Sequence, residues 1–195
     1  RYHIGVATYS VGVAYNNRKA SLQFIQQEMN NITALSNETC QLGIQSRNMV
    51  LYIAKKDSPQ PIRLMSSVGK QLPLYCTGLG RALLAYKSEE EIRSLFPEVL
   101  TAYTPHTIAT INDLLKELEL TRQRGYAVER EETNLMVNCI AVSLDYNNAP
   151  IAALSISIPT FRISESKEKE AVQILWEAKQ RIETHFKMYG VDFGN

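Results

Sequence analysis

The residues CIAVSLDYNNAPIAALSISI, Cys139–Ile158, carry the clearest mark of the architecture. Two runs of strand-forming residues, Cys139–Leu144 and Ile151–Ile158, flank the polar Asp145-Tyr146-Asn147-Asn148-Ala149-Pro150 and read as an antiparallel hairpin that Pro159 closes. Side chains alternate across a strand, so the second run sets Ala153, Ser155 and Ser157 on one face and Ala152, Leu154, Ile156 and Ile158 on the other. The greasy face requires a covering layer. The small, hydroxyl-bearing face fits either a solvated sheet surface or the floor of a small-ligand cavity, and its lack of long charged residues favours the cavity.

Tyr126–Glu129 supplies another strand before the hairpin. Further upstream, Thr39–Gln45 and Met49–Lys55 form a second hairpin about Arg47-Asn48, and Ile62–Val68 reads as a third extended run beyond Ser58-Pro59-Gln60-Pro61. Helices are marked by apolar spacing and caps. Leu22, Ile25, Met29, Ile32 and Leu35 form one stripe from about Arg18. Thr77 caps a helix through Ala82, Leu83 and Leu84, and Ser88 with Glu91 makes a capping box for a short helix ended near Pro97. A longer helix runs from Ile111 to Arg124 with Gly125 as its left-handed stop, and Glu165 to Tyr189 carries Ala171, Leu175, Ala178, Ile182 and Phe186 on one stripe. The result is an α+β domain: a largely antiparallel sheet of about six strands covered by helices, in an order that resembles a GAF-like (profilin-like) or PAS-like sensor sheet.

The 195 residues are 45% hydrophobic, enough for one core without disulfides or a structural metal. Twenty-one Lys and Arg against 20 Asp and Glu leave a net charge of +1, too little for this segment to grip DNA by itself. Cys40, Cys76 and Cys139 are odd in number and lack C-x-x-C spacing, which points to a reducing, cytoplasmic setting, and there is neither a secretion signal nor a membrane-spanning run. The opening, which starts at Arg1 rather than Met, reads as the middle of a longer protein.

Catalytic signatures such as H-E-x-x-H, G-x-S-x-G and the Walker loop are missing, and His3, His106 and His185 have no ligand spacing, so neither metal nor cofactor is expected. Cys139 as nucleophile with His106 as base gives a rival reading, a small Cys- or Ser-dependent hydrolase or transferase, although a lone strand cysteine is more often a small buried hydrophobe. A third reading is an interaction module with no small ligand. In Leu72–Ala85, Thr77, Gly78 and Gly80 stand at a helix start. Free N–H groups there attract anions, yet the same glycines serve a tight strand-to-helix turn. The cluster Glu129-Arg130-Glu131-Glu132 is ordinarily a solvated charge run, with room for one member to turn inward.

Leu72-Pro73-Leu74, Thr77, Gly80 and Ala82–Ala85, then Thr121–Val128, Cys139-Ile140-Ala141 and Ala152–Ser157 together resemble the IclR family of bacterial transcription regulators, over nearly the whole chain. The resemblance implies that residues 1–15 are the end of a winged-helix domain and its linker. Residues 16–195 would form an effector-binding and oligomerisation domain, a homodimer or homotetramer that touches DNA only through the missing N-terminal domain. It further implies a small carboxylate effector, such as a keto acid or sugar acid, held by Thr77, Gly78, Leu79, Glu129, Cys139, Ser155 and Ser157. The sequence departs from the family at Ile158, where glycine is usual and a branched side chain would reshape the pocket. Tyr75 and Cys76 replace His and Ala and would bring a hydroxyl to the pocket mouth. The interval from Cys139 to Asp145 is about one residue short, which puts its register in question.

Overall fold

The computed structural model describes residues 20–62 and 67–192, together with Thr8 and Val11. The expected winged-helix remnant, residues 1–15, and His3 thus lie outside the described residues apart from those two positions. The elements are α1 (Ala20–Ser36), β1 (Thr39–Ser46), β2 (Met49–Lys56), β3 (Gln71–Pro73), a 3-10 turn at Leu74–Cys76, α2 (Gly78–Leu84), α3 (Glu89–Leu95), α4 (Ile111–Arg124), β4 (Ala127–Arg130), β5 (Val137–Tyr146), β6 (Ala149–Pro159), a second 3-10 turn at Thr160–Arg162 and α5 (Glu165–Tyr189). The six strands form one sheet in the order β3-β2-β1-β6-β5-β4, and every neighbouring pair is antiparallel.

The β5–β6 hairpin is longer than its sequence suggests, because Asp145, Tyr146, Ala149 and Pro150 join the ladder and only Asn147-Asn148 turns. Both asparagines have positive φ, 51° and 61°, a conformation that Asn tolerates and that matches the twist of the flanking strands. Register is regular from Cys139 to Leu144 and shifts between Leu144 and Asp145, beyond the pocket-facing residues. The third strand is corrected. It is Gln71–Pro73, paired to Met49–Leu51, whereas Ile62 and Val68 are exposed; residues 63–66 lie outside the described residues.

The two faces of the sheet carry separate cores. Leu42, Ile140, Leu154 and Ile156 pack under Leu22, Ile25, Met29 and Ile32 of α1 and Leu175, Ala178, Ile182 and Phe186 of α5. The stripe on α1 stops short of Leu35, which is exposed, and Ser36 is buried in its place. His185 sits on α5 stacked against Phe24 with ring centroids 4.2 Å apart. On the opposite face Val50, Tyr52, Ala127, Ala141 and Ala153 lie under Leu79 and Leu83 of α2 and Leu114 and Leu118 of α4. Amphipathic helices therefore cover their own sheet, and one layer, α2, stands over the face that bears the serines.

Candidate functional site

Local chemistry sets the start of α2. Thr77 Oγ1 accepts the Gly80 N–H at 3.1 Å and lies 3.1 Å from the Pro73 carbonyl, to which it donates, so its hydroxyl is engaged as an N-cap. Gly80 is required by packing: a Cβ there would lie 2.1 Å from the Leu74 carbonyl oxygen. A Cβ at Gly78 would meet Cys139 Cβ at 3.3 Å and Ala141 Cβ at 3.4 Å, which shows how closely the helix start is seated on β5. Gly80 thus serves the tight turn, while Gly78 sets how closely the helix start approaches β5. The first N–H groups of the helix, those of Gly78 and Leu79, precede any intrahelical acceptor.

Beside this start lies a hollow bordered by Gln41, Tyr52, Lys70, Leu72, Thr77, Gly78, Leu79, Glu129, Thr133, Asn134, Val137, Cys139 and Ser155. The sheet brings the floor together by register: Glu129 stands opposite Cys139, Cys139 opposite Ser157, and Ser155 opposite Gln41. Hydrogen bonds run across these pairs. Cys139 Sγ is 3.2 Å from Ser157 Oγ, and the Ser157 and Ser155 hydroxyls donate to Gln41 Oε1 at 3.0 and 3.4 Å. Six of the seven residues singled out from the sequence therefore border one hollow. Ser157 reaches it through Cys139 and Gln41 instead of lining it.

The acidic run turns inward twice. Glu129 is 1% exposed and Glu132 5%, at the i, i+3 spacing, whereas Arg130 is exposed and pairs with Glu168. Glu129 Oε1 accepts the backbone N–H groups of Glu132 at 2.5 Å and Thr133 at 3.2 Å, which fastens the turn between β4 and β5 over the hollow. Burial pushes the Glu129 carboxyl up to about 7, against those two N–H bonds and the Cys139 thiol, which favour its charged form. Glu132 is held by Arg81, a fully buried guanidinium that also donates to the carbonyls of Tyr75 at 2.9 Å and Val128 at 2.8 Å.

The hollow holds ≈ 30 Å³, room for water but far below the roughly 300–1,000 Å³ of typical ligand pockets. Burial pushes the Cys139 thiol well up, with Glu129 adding to the effect. That direction is opposite to the one an attacking thiolate needs. His106 lies on an exposed turn and does not border the hollow. Two expectations are overturned. Ile158 belongs to the core under α1 and α5, on the far side of the sheet, so it leaves the pocket unchanged. Tyr75 is buried against Phe96 and donates to the Thr101 carbonyl at 2.7 Å, not at the pocket mouth. A larger cavity of ≈ 350 Å³ lies between the far end of α2, α4 and the sheet, but Tyr86, Thr121, Arg122 and Ser143 in its wall are all bonded to protein.

Gln41, Tyr52, Thr133, Asn134 and Arg81 escaped the sequence reading. For Gln41 a signal existed: Thr39 and Gln41 alternate with apolar Cys40 and Leu42, which puts the amide on the serine-bearing face. Tyr52 arrives by the pairing of β2 with β1, Thr133 and Asn134 by the β4–β5 turn, and Arg81 lies behind the hollow, holding Glu132.

The chain is similar to known proteins over most of its length. The family described as bacterial transcriptional regulator IclR, C-terminal, matches residues 15–184. The HTH-type transcriptional regulator KdgR of Dickeya chrysanthemi is 34% identical over 93% of the chain, which spans 60% of that relative. The HTH-type transcriptional repressor AllR of Escherichia coli K12 is 32% identical over 94%, with 68% of its length spanned. Among solved structures, the IclR of Thermotoga maritima superposes with a TM-score of 0.85 at 30% identity, covering 95% of this chain and 76% of that one. Among the described residues no helix is long and apolar enough to cross a membrane.

Proposed function

Since the chain belongs to the IclR family of bacterial transcriptional regulators, whose C-terminal domain it carries, we propose that it is a sensor domain whose hollow beside α2 takes a small carboxylate metabolite, a keto acid or sugar acid, and alters operator binding by the whole protein. The observation that supports this most directly is the convergence of a helix start, the Gln41 amide, the Cys139 thiol and the Ser155 hydroxyl on one hollow, with the Ser157 hydroxyl bonded behind Cys139 and Gln41. The α2 N–H groups of Gly78 and Leu79 receive the ligand carboxylate, while Ser155, Gln41 and the Cys139–Ser157 pair read its remaining oxygens. Thr77 contributes by holding the helix start in place.

A hollow of ≈ 30 Å³ must widen to admit such a ligand. The turn carrying Thr133 and Asn134 moves away from the β3 rim at Lys70 and Leu72, and ligand binding selects that open-then-filled arrangement. Operator contact belongs to the rest of the protein, in line with the balanced charge of this domain, and assembly into a homodimer or homotetramer carries the change between subunits. Turnover is not part of the proposal: burial pushes the Cys139 thiol away from thiolate.

Thermal unfolding with glyoxylate, pyruvate and gluconate tests it. A ligand at about 100 times its Kd stabilises by about 2.7 kcal/mol, and for a chain of this size each kcal/mol raises Tm by roughly 2–4 °C. One of these acids should raise Tm by that order, and Ser155→Ala should reduce the shift at equal ligand concentration. Tm unmoved by all three acids, or a shift indifferent to Ser155→Ala, would remove this hollow as the sensor site.

A further inference from the structure

The charges around the hollow pose a question that the carboxylate reading leaves open. An incoming anion would sit beside Glu129, which is buried, yet among the described residues the hollow supplies no buried cation to offset a second negative charge. Among the described residues that border it the cation is Lys70, and Lys70 is exposed at the rim. Arg81, the buried guanidinium nearby, is held by Glu132 and by the carbonyls of Tyr75 and Val128. The other titratable groups facing Glu129 add negative charge or none: Glu132 on the turn, the Cys139 thiol on β5, the Tyr52 phenol on β2 and the Cys76 thiol on the 3-10 turn. Two carboxylates side by side at so buried a position do not both stay ionised without a cation.

We infer that the ligand enters as a monoanion together with one proton, taken from solvent by Glu129, and that Glu129 thereby selects small monocarboxylates over dianions. This inference rests on the sensor reading above. The geometry gives the proton a second consequence. Glu129 Oε1 is the acceptor that fastens the Glu132 and Thr133 amides, so neutralising the carboxyl weakens the bonds that hold the turn closed in the same step that makes room for an anion. The protonated oxygen then donates to the ligand carboxylate, and the charge in the hollow stays at one. The position of Glu129 near neutrality, set mainly by burial, makes the uptake accessible to ordinary pH.

Isothermal titration calorimetry of the full chain with pyruvate, at pH 6 and pH 8 and in buffers of different ionisation enthalpy, reads the proton directly. Uptake approaching one proton per ligand is expected at pH 8, with affinity about tenfold weaker than at pH 6. Glu129→Gln imitates the neutral acid, since its carbonyl still accepts the two amides and its amide donates to the ligand. It should bind pyruvate with similar affinity at both pH values and without proton uptake. Malonate should bind the wild type more weakly than pyruvate at pH 8. Binding by the wild type that takes up no proton and is equal at both pH values would overturn the inference whatever the variant does, as would malonate binding as tightly as pyruvate. If Ser155→Ala weakens pyruvate binding while pH and Glu129→Gln leave it alone, only the proton linkage falls. If pyruvate, glyoxylate and gluconate all fail to bind at either pH, the sensor reading falls and takes this inference with it.

Discussion

Gly80 and Glu129 show how a single position in this domain can be fixed by packing or by charge. At Gly80 the constraint is steric: the Leu74 carbonyl occupies the place of a side chain, and backbone on both sides leaves nothing flexible to yield. Gly80→Ala should therefore destabilise at the upper end of the roughly 1–3 kcal/mol that overpacking costs, seen as a lower urea midpoint with an unchanged slope. At Glu129 the constraint is electrostatic and has a sign. Its carboxyl ionises near 4.5 in an unfolded chain and near 7 in the fold, so the folded state holds the proton more firmly. The stability this contributes is full below pH 4.5 and is lost as pH rises through about 7. The loss amounts to at most roughly 3 kcal/mol. Urea titrations at pH 5 and pH 8 should show Glu129→Gln losing less stability over that interval than the wild type; equal losses in the two proteins would mean that Glu129 titrates in the fold as it does in the open chain.

At the level of elements, α2 is the piece on which the site is mounted, and Arg81 ties it down. One guanidinium joins the 3-10 turn, β4 and the β4–β5 turn through Tyr75, Val128 and Glu132, and Glu132 in turn accepts the Ile108 N–H at 3.2 Å. Glu132→Ala leaves that charge buried without its partner, which should cost about 3–5 kcal/mol in chemical denaturation. Arg81→Met with Glu132→Leu should recover much of that loss in stability. This tie was not legible in the sequence, because Val128 and Glu132 stand 47 and 51 residues from Arg81 and nothing local announces them. What was legible is what local chemistry decides. The Ser88–Glu91 capping box, the Thr77 cap and the Gly125 stop at φ 78° all form where residue type and spacing place them. The third strand shows the limit of such reading. The segment that pairs with β2 in the third-strand position is Gln71–Pro73, a short run that propensity alone does not announce. Likewise Glu129 and Glu132 look like surface charge until the turn folds both inward.

Across the whole molecule, the alternation first read in Ile151–Ile158 becomes a division of labour. The odd-numbered residues Ala153 and Ser155 face α2 and the hollow, whereas Leu154, Ile156 and Ile158 lie in the core beneath α1 and α5. Two adjacent residues of one strand should then report on different properties. Ile156→Val removes one buried methylene from the helix-side core and should cost about 0.5–1.5 kcal/mol of stability while leaving the ligand affinity of the folded protein unchanged. Ser155→Ala should do the reverse. Its hydroxyl makes one long bond to Gln41, whose oxygen keeps the Ser157 donor, so stability should fall by less than about 1 kcal/mol while affinity weakens. Urea denaturation and calorimetry on the two variants would check the pair together. Ligand affinity that moved as much in Ile156→Val as in Ser155→Ala would mean that the sheet transmits strain between its two cores, and stability and sensing would then share one structure instead of occupying opposite faces of it.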